Sequence, residues 1–237
     1  MLAPSMPSTL ALRRVHLFAG CSDEVLQHIA LLCNWRTVAA KTSLFSRESS
    51  GGEVYFLLNG RVRITSYSEQ GREVSFRDYE AGEHFGDLSA IDGQQRSADV
   101  IAIEDSLVVS ISSAQFLALL DQDALIARRM MQHLTQLVRK LTDRVLELSN
   151  FDVPARVQME LLRLAQAIEP DGSARIEPAP THAALAGKIS ATREQVAREI
   201  SALTKRGLIR KEGSRLLRIC AVSDLEALVA MTKRQAV

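Results

Sequence analysis

The segment Gly82-Glu83-His84-Phe85-Gly86-Asp87-Leu88-Ser89-Ala90-Ile91-Asp92-Gly93-Gln94-Gln95-Arg96-Ser97-Ala98 opens on a tight glycine turn, places a carboxylate directly after Gly86 and ends on an Arg-Ser pair. Gly86 lets backbone approach a ligand where a Cβ would clash. A short helical turn beginning near Asp87 can aim backbone N–H groups at an anion. Arg96 supplies a fork of donors suited to phosphate, and Ser97 adds a hydroxyl. Asp87 supplies an acceptor for sugar hydroxyls. Together these residues suit a sugar phosphate. The plain alternative is a surface loop closed by an Asp87–Arg96 salt bridge.

On the N-terminal side, short apolar segments alternate with turn residues. Leu10 to Leu32 reads as helical, with a helix start at Ser22-Asp23-Glu24. Val38 to Phe45 precedes Ser49-Ser50-Gly51-Gly52, and Val54 to Leu58 precedes Asn59-Gly60, a hairpin-turn signal. Arg61 to Thr65 alternates before a turn at Glu69-Gln70-Gly71, and Glu73 to Tyr79 is a further run. Asp99 to Ile103 and Leu107 to Ile111 add two more strands on the C-terminal side. Many short strands at this spacing predict an antiparallel sandwich or barrel.

From Ser112 the period turns helical. After a short helix at Ser113-Ala114-Gln115-Phe116, a long one is expected from Asp123 to Ser149. Ala127, Met131, Leu134, Val138, Leu141, Val145 and Leu148 alternate spacings of four and three, a heptad seam that calls for a second copy of the chain. Asn150 to Pro154 reads as a hinge, with Pro154 suited to the first turn of the next helix. Val157 to Ile168 is amphipathic. Thr181 caps a helix carrying Leu185, Ala186 and Ile189. Thr192, with Gln195 in a capping box, starts a second one that turns Val196, Ile200 and Leu203 inward. This is a helix-turn-helix pattern. Arg193, Glu194, Gln195 and Arg198 lie outward near the N-terminus of the second helix and are the candidates for base edges. Thr181, Lys188 and Thr192 are placed to reach phosphates. Leu208 to Lys211 and Leu216 to Ile219 flank Glu212-Gly213-Ser214 as a wing hairpin.

Charge agrees with that division. Residues 1–153 carry 15 Lys and Arg against 19 Asp and Glu, a net −4, and residues 154–237 carry 14 against 9, a net +5. A basic C-terminal part points to a polyanion. No apolar run approaches the ~20 residues of a spanning helix, and Met1 to Leu12 has no signal-peptide pattern. The start is Pro/Ser-rich and expected to fray. Cys21, Cys33 and Cys220 are scattered, with no C-x-x-C pair, so neither a disulfide framework nor a zinc site is indicated and a reducing cytoplasm is expected. No Ser-His-Asp order or Walker loop is present, and Asp87 and Arg96 have no neighbouring base, which argues against an enzyme.

In this order of parts the chain resembles the CRP/FNR family of bacterial transcription regulators, from about Val15 to Leu225. The segment from Gly82 is similar to that family's phosphate-binding cassette, Phe-Gly-Glu-Leu-Ala followed by Arg-Ser-Ala. Arg193-Glu194-x-x-x-Arg198 is similar to its base-reading set. The resemblance implies an α+β fold with an antiparallel, jelly-roll-like β-roll sensor over residues 10–122, a dimerisation helix over 123–150 and a winged helix-turn-helix over 151–237. It implies a homodimer gated by a cyclic nucleotide, cAMP or cGMP. Gly86, Asp87, Leu88 and Ser89 would lie on the ribose side, Arg96 and Ser97 on the cyclic phosphate, and Leu141 and Thr142 beside the purine. Asp87 stands where glutamate is usual, one methylene short, and Leu141 stands where a polar residue is usual. Ser190 occupies a turn position where glycine is frequent. The partners implied are RNA polymerase and double-stranded DNA with near-palindromic, TGTGA-like half-sites about one DNA turn (~34 Å) apart. Metal, haem and iron–sulfur cofactors are not expected. His84 and His133 read as surface or packed residues, and Cys21 and Cys33 have no companions for a cluster. The alternative within the family is a degenerate pocket, with a regulator that is constitutive or answers another signal.

Overall fold

The computed structural model describes residues 8–67, 73–213 and 215–235. The Pro/Ser-rich start through residue 7, the Glu69-Gln70-Gly71 turn and Ser214 of the wing turn lie outside the described residues. The chain forms two compact units, one up to Leu137 and one from Val138 on.

The first unit begins with α1 (Thr9–Leu12), a 3-10 turn (His16–Phe18) and α2 (Asp23–Leu32). The helical stretch expected over Leu10 to Leu32 thus comes in pieces, with the helix start read at Ser22-Asp23-Glu24 in place. Ser22 is extended at φ −67°, ψ 161°, and its hydroxyl accepts from Val25 N, so it starts a new helix. Strands β1 (Asn34–Val38), β2 (Ser43–Phe45), β3 (Val54–Asn59), β4 (Arg61–Tyr67), β5 (Glu73–Glu80) and β6 (His84–Phe85) follow. Then come α3 (Asp87–Asp92), β7 (Asp99–Ala102), β8 (Ser106–Ile111), α4 (Ser113–Gln122) and the long α5 (Ala124–Asn150). The run from Val38 to Phe45 divides because Lys41 N turns aside to donate to Ala102 O at 2.7 Å.

Two antiparallel four-stranded sheets, β1-β8-β3-β6 and β2-β7-β4-β5, make the roll. Asn59-Gly60 is not a hairpin turn. It is a corner, since β3 pairs with β8 and β6 while β4 pairs with β5 and β7. Gly60 sits at φ +91°, and a Cβ there would lie 2.7 Å from Asp105 O, so the chain can pass from one sheet to the other only through glycine. Between the sheets pack Tyr55, Leu57, Val62, Phe85, Val100 and Val108. On the outer face of the first sheet, Phe18, Phe56, Phe116, Ile126 and Met130 form a second core that seats α5. Burying one such side chain contributes about 1.5–3 kcal/mol.

The second unit packs α6 (Val153–Leu164), β9 (Ala174–Ile176), α7 (His182–Ile189), α8 (Arg193–Lys205), β10 (Ile209–Glu212), β11 (Leu216–Ile219) and α9 (Val222–Gln235) around Val157, Leu161, Leu185, Ile189, Val196, Leu203 and Leu225. Strands β10, β11 and β9 form one antiparallel sheet in the order β10-β11-β9. Helix α6 stops at Leu164 rather than near Ile168, because Gln166 N leaves the helical ladder to donate to Arg175 O at 2.8 Å beside β9. No helix is long and apolar enough to cross a membrane among the described residues.

Candidate functional site

The cassette is built by β6 and α3. Phe85 and His84 pair with Tyr55 and Phe56 of β3, which fixes where the following turn begins. Gly86 then takes φ +81°, and α3 closes at Gly93 with φ +69°. The chain returns to Arg96, whose backbone is held by Glu48 N donating to Arg96 O at 2.9 Å and Arg96 N donating to Ser49 O at 3.3 Å.

Arg96 and Asp87 are buried, not a surface ion pair. Arg96 Nη1 donates to Gly86 O at 2.9 Å and to Ser89 Oγ at 2.7 Å, and Nη2 donates to Glu53 O at 2.8 Å. Its Nε is buried and makes no hydrogen bond among the described residues. The guanidinium lies 4.2 Å from the Phe45 ring centroid and 3.8 Å from Glu53 Oε2. The Nε and Nη2 edge is the fork that matches a phosphate, and here Glu53 holds half of it. Ser89 acts through its side chain as well as its place in the turn, accepting from Arg96 and donating to Gly86 O at 3.3 Å. Leu88 and Ser97 are exposed beside these groups.

Asp87 is not among the hydrogen-bond partners of Arg96 in the described residues. Burial pushes its carboxyl above the ordinary aspartate range, against the opposing pull of His133, its own N–H, Arg96 and the Leu88 N–H. Asp87, His84 of β6 and His133 of α5 come together, a grouping that composition and spacing did not reveal. Its only signal in the chain is a histidine three positions before the cassette carboxylate. Leu141 and Thr142 are both exposed on α5, and the Thr142 hydroxyl donates to Val138 O at 3.0 Å.

In the second unit Thr181 caps α7, accepting from Ala184 N at 3.1 Å. Thr192 and Gln195 close a reciprocal capping box at α8, at 3.2 and 2.9 Å. The Gln195 carbonyl oxygen is thus engaged with Thr192 N, while the side chain is exposed at the start of α8. Ala191 N donates to Ala186 O across the turn, and Ser190 adopts the left-handed φ of 52°. Arg193, Glu194 and Arg198 project from the first turns of α8 and are exposed. Lys188 is drawn to Glu160, with Nζ 3.8 Å from Oε1. Sequence reading missed a set of arginines under this motif. Arg144 and Arg156 donate to the carbonyls of Lys188 and Ile189, at the very end of α7. The wing is braced by Arg218, bonded to Glu212 at 2.9 Å, Glu169 at 3.0 Å and Ser173 at 2.9 Å.

A β-roll with a glycine-turned arginine cassette, followed by a winged helix-turn-helix, defines a transcription regulator with a sensor domain. Residues 35–123 match the family described as the cyclic nucleotide-binding domain, and residues 155–229 match the Crp-like helix-turn-helix domain. The chain belongs to the CRP/FNR family of transcription regulators. It is 29% identical over 203 residues to the cAMP-activated global transcriptional regulator Vfr of Pseudomonas aeruginosa, covering 82% of this chain and 92% of that one. It is 28% identical over 196 residues to the cyclic AMP receptor protein of Thermus thermophilus, covering 82% and 88%. In fold it is similar to the c-di-GMP responsive global regulator CLP of Xanthomonas campestris, with TM-score 0.69, 20% identity and coverage of 83% and 98%. It is likewise similar to a mutant of CooA from Carboxydothermus hydrogenoformans, with TM-score 0.73, 18% identity and coverage of 87% and 94%.

Proposed function

We propose that this chain is a cytoplasmic, homodimeric, sequence-specific DNA-binding regulator gated by a cyclic nucleotide, cAMP or cGMP, in the β-roll. The observation that carries this reading is the Arg96 guanidinium, oriented by Gly86 O and Ser89 Oγ, with Nε making no hydrogen bond among the described residues. A cyclic phosphate completes that fork, replacing the Glu53 contact on Nη2, and the Ser97 hydroxyl adds a donor. Asp87 accepts from the ribose hydroxyl, either directly or through a water that makes up for the missing methylene. Arg193, Glu194 and Arg198 read base edges in the major groove, while Thr181 and Thr192 face phosphates. An effector with unequal affinity for two states of the dimer can shift DNA affinity by at most that ratio, which is what gating requires. RNA polymerase is the partner that a regulator of this class works with.

The test is calorimetry of the full chain with cAMP and cGMP in turn, followed by DNA binding with and without each. Heat of binding and a salt-matched rise in affinity for a TGTGA-type palindrome are expected with one of them. No heat and no change with either would remove the cyclic-nucleotide reading and leave the second one, a regulator whose pocket answers another signal. That second reading is favoured by the internal acceptors already bound to Arg96 Nη1 and Nη2.

A further inference from the structure

His84 and Asp87 stand three positions apart across the β6–α3 turn, and α5 brings His133 against them. The two imidazole rings have centroids 4.4 Å apart, tilted by 49°. One ligand atom from each of the three residues lies within 4.8 Å of the others. His84 is 4% exposed and Asp87 6% exposed, while His133 is half-buried. Asp87 Oδ2 is fully buried and accepts no hydrogen bond among the described residues. A carboxylate oxygen taken out of water without a donor is a standing energetic penalty, and it points to a group supplied from outside the chain.

A group from outside the chain can satisfy that carboxylate as a hydroxyl or N–H donor or as a cation. A ribose hydroxyl has no use for two imidazoles gathered beside the same carboxylate. Two imidazoles and one carboxylate are the donor set of zinc and its neighbours, with room for water at the remaining positions. Ligand–metal distances of about 2.0–2.2 Å put donors roughly 3.3 Å apart, so a set already within 4.8 Å needs only about 1.5 Å of further approach. We propose that His84, Asp87 and His133 bind one divalent transition metal ion of the zinc class, joining the cassette to α5. The proposal stands without the nucleotide reading. It shares Asp87 with it, so metal and ribose compete for that carboxylate.

The full chain, stripped of metal by chelator and dialysis, is titrated with Co2+ and then Zn2+. A single Co2+ per chain with the strong visible bands of low coordination is expected, displaced stoichiometrically by Zn2+. His133→Ala should weaken binding by about 100-fold or more, and His133→Gln should do the same with an unchanged melting curve. A Cys21→Ser, Cys33→Ser, Cys220→Ser background should retain it, since the thiols take no part. A spectrum that stays that of aqueous Co2+, or binding indifferent to both His133 variants, would overturn the proposal. Nucleotide calorimetry on the metal-free chain is read separately: heat with cAMP or cGMP but no cobalt spectrum removes the metal site alone. Cobalt binding without nucleotide heat removes the nucleotide reading alone.

Discussion

A Cβ at Gly86 would lie 2.8 Å from both Arg96 Nη1 and Glu53 O, on a backbone at φ +81°. Neither neighbour can give way cheaply, because each is held by the other through the Arg96 hydrogen bonds. Gly86→Ala is therefore expected to cost about 2–4 kcal/mol of stability, read as a lower urea midpoint, and to abolish any nucleotide heat. Ser190 shows the opposite case. It holds the helix-turn-helix turn at φ 52° with a Cβ that disfavours that conformation, so Ser190→Gly should raise stability by about 1 kcal/mol. That gain appears as an upward shift of the thermal midpoint. On α8, Arg193 is exposed at the first helical position. Arg193→Ala should relax specificity at one base pair per half-site by roughly 1–3 kcal/mol, measured by competition with single-substituted operators. An equal loss on every sequence would instead assign Arg193 to the phosphates.

At the level of elements, the joint of α5 and α6 rests on Glu147. It receives Arg144 Nη1 at 3.1 Å and Arg163 Nη1 at 3.2 Å, and Arg163 also reaches its second oxygen. Burial raises the Glu147 pKa, but the Arg163 and Arg144 hydrogen bonds and charges outweigh it and hold the carboxyl below its ordinary value of 4.5. A carboxyl whose folded pKa is depressed contributes stability above its unfolded pKa and loses it as pH falls through the folded one. Denaturation midpoints of the wild type should therefore fall more steeply than those of Glu147→Gln below about pH 4.5. At pH 7 the variant should be less stable by about 1 kcal/mol. Local grammar made some elements legible from sequence: Thr192 with Gln195 is a capping box in both, and the short helix expected at Ser113 is present, closed by a Ser112–Gln115 box that spacing alone does not single out. The same grammar failed at Asn59-Gly60, where the turn chemistry was right and the pairing wrong, because pairing depends on β8 and β7, whose partner residues lie 34 or more positions further along the chain. In the cassette, Gly86, Asp87 and Arg96 were legible by type and order. Their partners were not, since the Glu53 carbonyl and His133 reach them only through tertiary packing, which no local spacing encodes.

Over the whole molecule, the heptad seam reads differently along its length. Leu134 is half-buried against the core beside Phe116, Ile126 and Met130, so this seam position serves the chain's own sheet. Met131, Val138, Leu141, Val145 and Leu148 are instead 61%, 62%, 53%, 62% and 40% exposed. An apolar stripe this regular and this open has no reason to persist on a solvated helix, and covering each residue contributes about 1.5–3 kcal/mol. A second copy presents the same stripe with the same spacing, which is the symmetric solution for a seam of this period. Such a dimer would also carry two α8 helices, one for each half of the proposed palindromic site. The double variant Val138→Asp with Val145→Asp puts two carboxylates into each half of that seam without touching either folded core. It should weaken dimerisation by roughly 3 kcal/mol or more, above 100-fold, seen as a monomer in sedimentation at concentrations where the wild type is a dimer. Affinity for a palindromic operator should collapse with it, while affinity for an isolated half-site stays near the wild-type value. A double variant that sediments like the wild type and keeps its palindrome affinity would show that the stripe is covered by something other than a second chain.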